Sequence, residues 1–552
     1  MGVKERWPLW VSIILLWSMF GFLMYNAWAQ SPTMDEQNHI ARGYALLRTG
    51  DPRLSLEHPP LINVVTALPL LLLGDSVQLP LDDWSWEAGQ WYYFADNFLW
   101  FANHDADRMV FLARLPVVMM TVLLAALAAR WARELWGGKA GIVGLALVAL
   151  DPNVLAHGSL ATTDVGLTWT AFLAGYMVWR LRRVLSWRAV IFTGLAMGAL
   201  LASKMSALMF WGIFGVLAIA GAWFSSATST RWHAVRKSVL AYAAITGVAF
   251  MLLWASYTFE IVPAMVNGPP VPLGTYLNGI VTVFTTVGSG RAAYLLGATS
   301  LNGWPLYFPI VFAVKTPIPT MLLILLTVPL ALQRRGKWRS CFLLLPVVVY
   351  WLLAINSALN IGYRHLLPTL PFIYVWVAQW GGDMAGKTAL QMKWKRGARF
   401  MCGVLLGWLA LEMLCIAPYF LAYFNPIGGG PKHGWRVVAD SNIDWGQDLK
   451  SLSAYITQHN LGQVKLSWFG SARPEAYGIT FDPLPGLPHY YTMWFEAPTF
   501  DVQQPEPGIY VISVSNLVEL PLTDKHFFAY FRARAPDARV GYSVYIYEVG
   551  IP

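Results

Sequence analysis

Two adjacent carboxylates, Asp35 and Glu36, follow the first long apolar stretch, within Pro32-Thr33-Met34-Asp35-Glu36-Gln37-Asn38-His39. Thr33 and Glu36 have capping-box spacing, which predicts a helix start here. Asp35 and His39 then lie one turn apart on one face. A second polar cluster, Glu57-His58-Pro59-Pro60, precedes the next apolar run. Acids between two hydrophobic segments admit two uses. They complement the positive end of a helix dipole, or they take up a proton during a reaction.

The elements that must position these residues are set by composition. The chain has 552 residues, 56% hydrophobic and only 12% charged, with a mean hydropathy of +0.47. Soluble domains carry about one quarter charged residues, so lipid solvates most of this chain. Aromatic residues make up 14%, including 28 Trp, which suits interfacial belts and ring-lined clefts. The net charge of +9 fits anionic lipid surfaces or a phosphorylated substrate. No basic run has nucleic-acid spacing, so a nucleic-acid partner is excluded. Cys341, Cys402 and Cys415 all fall in apolar runs and imply no disulfide framework.

Spanning-length apolar segments occur near 8–29, 108–130, 138–157, 160–180, 189–205, 207–224, 238–258, 306–333, 341–358, 365–382 and 400–423. These predict a multi-span α-helical membrane protein with about eleven transmembrane helices. The Pro-bounded run near 59–73 is too short to span and reads as a re-entrant or interfacial helix. Lys4 and Arg6 precede a first apolar core longer than a signal peptide needs, so an uncleaved anchor is expected. Five basic clusters follow: Arg130, Arg133 and Lys139; Arg180, Arg182, Arg183 and Arg188; Arg231, Arg236 and Lys237; Arg334, Arg335, Lys337 and Arg339; Lys387, Lys393, Lys395, Arg396 and Arg399. All fall on the side of the N-terminus, which the positive-inside rule makes cytoplasmic. The loop 30–107, the loop 259–305 and the C-terminal tail are then external. Two domains are expected: a transmembrane unit, 1–424, and an external α/β domain, 425–552. In the latter, strands are predicted at 508–514 and 542–549 and a helix at 451–459.

Charged residues crowd the outer ends of these spans: Asp164, Lys204, Lys315 and the pair Arg364-His365. A charge at the bilayer centre costs about 2.5–3.5 kcal/mol, less toward the interface. Each alone could snorkel. Together they describe an external cleft that holds a lipid-linked phosphate beside a carboxylate. Asp105-Ala-Asp107, with His104 beside it and His39 near the acidic pair, could also ligate a divalent cation, though nothing here requires one. The acids Asp440, Asp444 and Asp448 follow at helical spacing, interrupted by Gly446.

The order Asp35-Glu36, His58-Pro59-Pro60-Leu61, Asp164, Lys315-Thr-Pro317 and Gly362-Tyr-Arg-His-Leu-Leu-Pro368 resembles the lipid-carrier-dependent glycosyltransferases of the GT-C superfamily. The resemblance is to the protein O-mannosyltransferase and aminoarabinose-transferase relatives within it. The block Tyr423-Phe-Asn425-Pro-Ile-Gly-Gly-Gly-Pro431 with Asp440 to Leu449 resembles a bacterial branch. An α/β tail in place of a β-trefoil separates the chain from the eukaryotic protein mannosyltransferases.

The resemblance implies a GT-C fold with Asp35 as catalytic carboxylate and Glu36 as its partner. The expected reaction is inverting transfer of a hexose or pentose from a polyprenyl phosphate to a lipid, glycan or protein hydroxyl. Such transfer needs a base for the hydroxyl and cations for the departing phosphate. A desolvated carboxylate at the boundary is expected to have a raised pKa. Lys204, Lys315 and Arg364 are candidates for the phosphate, Arg364 offering a forked contact. His58, Asp164, His365 and Asp444 complete the expected substrate-binding set. A bacterial plasma membrane is the expected location. The principal rival is a transporter or flippase, which should show inverted repeats and mid-span breaks. A non-catalytic scaffold would leave the acids and cations without a use.

Overall fold

The computed structural model describes residues 3–181, 183–265, 268–333, 337–382, 389–486, 504–522 and 524–550. Among these, six helices are long and apolar enough to cross a bilayer: Pro8–Ala29, Ala106–Trp136, Ala207–Phe224, Arg231–Ser256, Trp338–Ile355 and Arg396–Ile416. Tyr307–Lys315 and Ile318–Leu332 make a seventh if taken as one span, bent by 113°. The break falls at Thr316-Pro317, where the proline disfavours helix in the residue before it.

The remaining apolar segments are helical but shorter or broken. The 138–157 run splits into Gly138–Ala149 and Pro152–His157, because the Asp151 side chain accepts from Asn153 N and Val154 N and starts a new helix. The 365–382 run becomes two 3-10 turns flanking Leu370–Val377, every residue of which is buried. Trp187–Leu201 has only 15 residues, and Thr163–Leu181, though 19 long, carries Asp164 in its first turn and Arg180 in its last. Apolar residues facing protein read like those facing lipid, so hydropathy alone does not separate buried helices from spans. Of the residues that orient the chain, Arg182, Arg334, Arg335 and Lys387 lie outside the described residues.

The short helices after the first span frame one wall of the site. Glu36–Thr49 packs on Leu61–Ala67. A Cβ at Gly43 would stand 1.9 Å from the Asn63 carbonyl oxygen, so only glycine permits this approach. The closeness lets Asn63 Oδ1 meet His39 Nδ1 at 3.0 Å. The run expected to be interfacial forms Leu61–Ala67 and a 3-10 continuation to Ser76.

Two hairpins, β1 (Ile261–Pro263) with β2 (Pro270–Pro272) and β3 (Ala293–Leu295) with β4 (Ala298–Ser300), lie in the second long loop. After Ile416 the chain leaves the helical body, and a mixed five-stranded sheet follows. Its strands are β5 (Val464–Ser467), β6 (Phe481–Pro483), β7 (Gly508–Ser513), β8 (Ala538–Val540) and β9 (Val544–Val549), in the order β6-β5-β7-β9-β8. β5 runs parallel to β6 and β7, and β9 is antiparallel to β7 and β8. Alternation assigns the two faces. Tyr510, Ile512, Tyr545 and Tyr547 join the core of the helical body. Val511, Val544 and Ile546 pack with the helix Leu449–His459. The sheet is thus seated on the helices through one face and covered by its own helix on the other.

Candidate active site

Asp35 caps the helix Glu36–Thr49 without using its side chain for capping, which leaves its carboxylate free for another partner. Arg364 Nη1 donates to Asp35 Oδ2 at 2.8 Å and stands 3.6 Å from Asp164 Oδ2. Lys204 Nζ donates to Asp164 Oδ1 at 2.7 Å. The four side chains form an alternating row, Asp35–Arg364–Asp164–Lys204. They come from four elements: a helix cap, a 3-10 turn, the first turn of Thr163–Leu181, and the turn after Trp187–Leu201. All line one cavity of about 680 Å³, as do His58 and His365. The Arg364 guanidinium lies 4.1 Å from the centre of the Trp445 ring. Gly362, at φ 144°, lets its turn approach Ser441, whose Oγ would stand 2.4 Å from a Cβ there.

Burial works to raise the pKa of Asp35, but Arg364, with a smaller contribution from His39, holds it below the usual carboxylate value. This corrects the expectation of a raised pKa. Desolvation is present, yet a paired guanidinium outweighs it. Burial lowers His39 to about 4, so the ring beside Asp35 is neutral at physiological pH.

Glu36, expected as the partner in chemistry, serves a different end. Its Oε2 accepts from Thr33 N at 2.8 Å and Thr33 Oγ1 at 2.9 Å. Arg114 donates to both its oxygens, at 2.8 and 2.6 Å, and Ala161 N donates to Oε1 at 2.7 Å. Arg114 also holds the carbonyls of Ala27, Gln30 and Ser31. Glu36 is fully buried and faces away from the cavity, an ionic anchor tying three segments together.

Lys315 is likewise drawn elsewhere. Its Nζ donates to the carbonyls of Leu421 and Asn442 at 2.7 and 2.6 Å, near the Phe424 ring. It fastens the 440–448 block to the bent helix pair and does not line the cavity. Asp444 accepts from Ser515 N at 2.8 Å, and burial pushes it up to about 8. Asp448 accepts from Ser543 Oγ at 2.6 Å. Within this block Asp440 and Trp445 reach the cavity instead. Asp105 caps Ala106–Trp136, and Asp107 holds Tyr477 and Lys450 at 2.7 and 3.1 Å. Among the described residues no three His, Cys, Asp or Glu side chains gather as a metal site. Reasoning from the sequence missed Arg42, Trp91 and Arg291 on the cavity wall, while Glu57 and Trp445 lay within segments it had singled out. Of the three missed, Arg42 carried a signal, its spacing of two turns from Asp35 on one helix face.

No protein-family model and no curated protein matches the chain. Among solved structures it is similar to ArnT from Cupriavidus metallidurans bound to undecaprenyl phosphate, with a TM-score of 0.49 and 12% identity over 97% of both chains. The apo state of that protein gives 0.48 and 11%. The oligosaccharyltransferase AglB from Archaeoglobus fulgidus, in complex with an inhibitory peptide and a dolichol-phosphate, gives 0.43 and 12% over 74% of this chain and 56% of that one. Overlays at this level are likenesses and carry no argument about activity, which rests on the cavity.

Proposed function

We propose that the chain is an inverting glycosyltransferase of the GT-C type, moving a sugar from a polyprenyl-phosphate carrier to an acceptor hydroxyl. The observation that carries this reading is the Asp35–Arg364 contact at 2.8 Å on the wall of the cavity, beside Lys204. A carboxylate, a fork-shaped cation and a point-charge cation are the groups that such a transfer requires.

The arrangement supports an order of events. A carrier phosphate entering the cavity competes with Asp35 for Arg364, and Lys204 supplies a second positive charge. Losing its guanidinium partner, Asp35 keeps its desolvation and becomes a stronger base. It takes the proton from the acceptor hydroxyl. The acceptor oxygen bonds to the anomeric carbon from the face opposite the phosphate, and the carbon–oxygen bond to phosphate breaks with its electron pair leaving on the phosphate. Arg364 and Lys204 stabilise that charge as it develops. A single displacement inverts the anomeric centre, whereas retention requires a second carboxylate acting as nucleophile.

The basic clusters support a cytoplasmic N-terminus in a bacterial plasma membrane, with the cavity and the 425–552 domain external. The test is a time course with purified protein, a polyprenyl-phosphate-linked sugar and candidate acceptors. The proposal expects free polyprenyl phosphate to accumulate together with glycosylated acceptor. Translocation of an unaltered donor across a vesicle bilayer, with no release of carrier phosphate, would replace it with the flippase reading.

A further inference from the structure

The helix Glu36–Thr49 turns one face to the cavity through Asn38, His39 and Arg42, in line with Asp35. Arg42 lies two turns, about 10 Å, from Asp35. It is 2% exposed, yet its Nε and Nη2 have no hydrogen-bond partner among the described residues. Its one charged partner there is Glu57, whose Oε2 makes an ion pair with Nη2 at 3.6 Å, too long for a hydrogen bond. The guanidinium carbon lies 4.2 Å from the centre of the Trp91 ring. Two more buried atoms of the same wall, His58 Nδ1 and Asn38 Oδ1, also lack partners. Unmet polar atoms are costly in a buried wall, and several on one cavity point to a ligand that meets them.

We propose that Arg42, Glu57, Asn38 and His58 form a recognition subsite for the transferred sugar, and that this sugar is uncharged and polyhydroxylated. The assignment rests on the transferase reading above. Arg42 offers donors, Glu57 and Asn38 Oδ1 offer acceptors, and a hydroxyl both donates and accepts. Arg42 and Glu57 also exclude. Because the two are paired at 3.6 Å, a sugar carboxylate that reaches Arg42 also meets the like charge of Glu57, and an ammonium that reaches Glu57 also meets Arg42, so neither charged group gains a net partner that a hydroxyl lacks. The two turns between Asp35 and Arg42 span one sugar ring with its hydroxyls, so the anomeric carbon can face the base while the far hydroxyls meet the subsite. Trp91 adds an aromatic face at the same end.

The experiment compares three polyprenyl-phosphate donors on the full-length protein, carrying a neutral hexose, an amino sugar and a uronic acid. Consumption and equilibrium binding are both read. The neutral donor should be favoured over either charged donor by about tenfold or more in kcat/KM. Glu57→Gln should shift selectivity toward the uronic acid, and Arg42→Gln toward the amino sugar, each weakening use of the neutral donor. Glu57 is one-third exposed, so its variant tests the idea even where Arg42→Gln fails to fold. A preference for a charged donor, or variants that leave selectivity unchanged while the neutral donor is still turned over, would overturn the subsite alone. No binding or turnover of any donor would overturn the transferase reading beneath it.

Discussion

The stretch around Asp35 and Glu36 and the block from Asp440 to Asp448 have the same kind of sequence and divide their acids in the same way. Each turns one carboxylate to the cavity, Asp35 or Asp440, and buries the others. The buried acids then part company. Glu36 has a cation, Arg114, against both oxygens, and although burial works to raise its pKa, the result lies below the usual value. Asp444 and Asp448 meet hydroxyls, amides and backbone N–H groups, and burial pushes them up to about 8 and about 6. A buried acid with its own cation is an ionic anchor. One without a cation is a hydrogen-bonding group that holds its proton to a higher pH than an ordinary carboxyl. Asp35 differs from both, since it and its cation, Arg364, stand together on the cavity wall.

The largest effect that would sharpen this contrast is on folding. Glu36→Gln leaves Arg114 buried without its counter-charge, and breaking such a pair costs about 3–5 kcal/mol. Thermal unfolding in detergent should show a strongly destabilised protein, whereas Asp35→Asn should unfold close to the native temperature. Equal stability of the two variants would erase the distinction between anchor and cavity acid.

Next in size is donor affinity. Arg364→Lys keeps the charge and loses the fork, and it should raise the KM for donor by about tenfold or more. Trp445→Leu, which removes the ring under that guanidinium, should move KM in the same direction by less, with kcat changed little. Donor titrations with each variant check this, and an unchanged KM in Arg364→Lys would remove the phosphate contact.

The smallest effect is on pH dependence. Asp444 has an ordinary value of 3.8 and about 8 in the fold. Between these values the folded state holds a proton that the unfolded state has released. Stability therefore falls as pH rises from about 4 to about 8. Asp448 adds the same sign over about 4 to 6. Asp444→Asn should flatten the decline in Tm between pH 5 and pH 8. A variant that declines as steeply as the native chain would mean that Asp444 is ionised in the fold.

Much of this was legible in the sequence, for a physical reason. Residues at the outer ends of successive spans share one level of the membrane, so Asp164, Lys204 and Arg364-His365 could be grouped before any contact was known. The runs 508–514 and 542–549 stood out through β-branched and aromatic alternation, and the strands form at Gly508–Ser513 and Val544–Val549 within them. Partner identity was not legible. Lys315 has the same sequence setting as Lys204, but two backbone carbonyls claim it. Glu36 has the same setting as Asp35 but meets Arg114, 78 residues away. Nothing local in a sequence records such distant pairings. Trp91, which opens the short helix Trp91–Asp96, and the loop residue Arg291 reach the wall through tertiary packing alone.

The central claim is that Asp35 takes the acceptor proton once the carrier phosphate has engaged Arg364. Single-turnover transfer by Asp35→Asn, with donor and acceptor saturating, tests it most directly. The amide keeps the shape and cannot accept the proton. The rate should fall by about 10²–10⁴ while donor still binds. Turnover near the native rate by a folded, donor-binding Asp35→Asn protein would contradict the account and return Asp35 to the role of a helix cap.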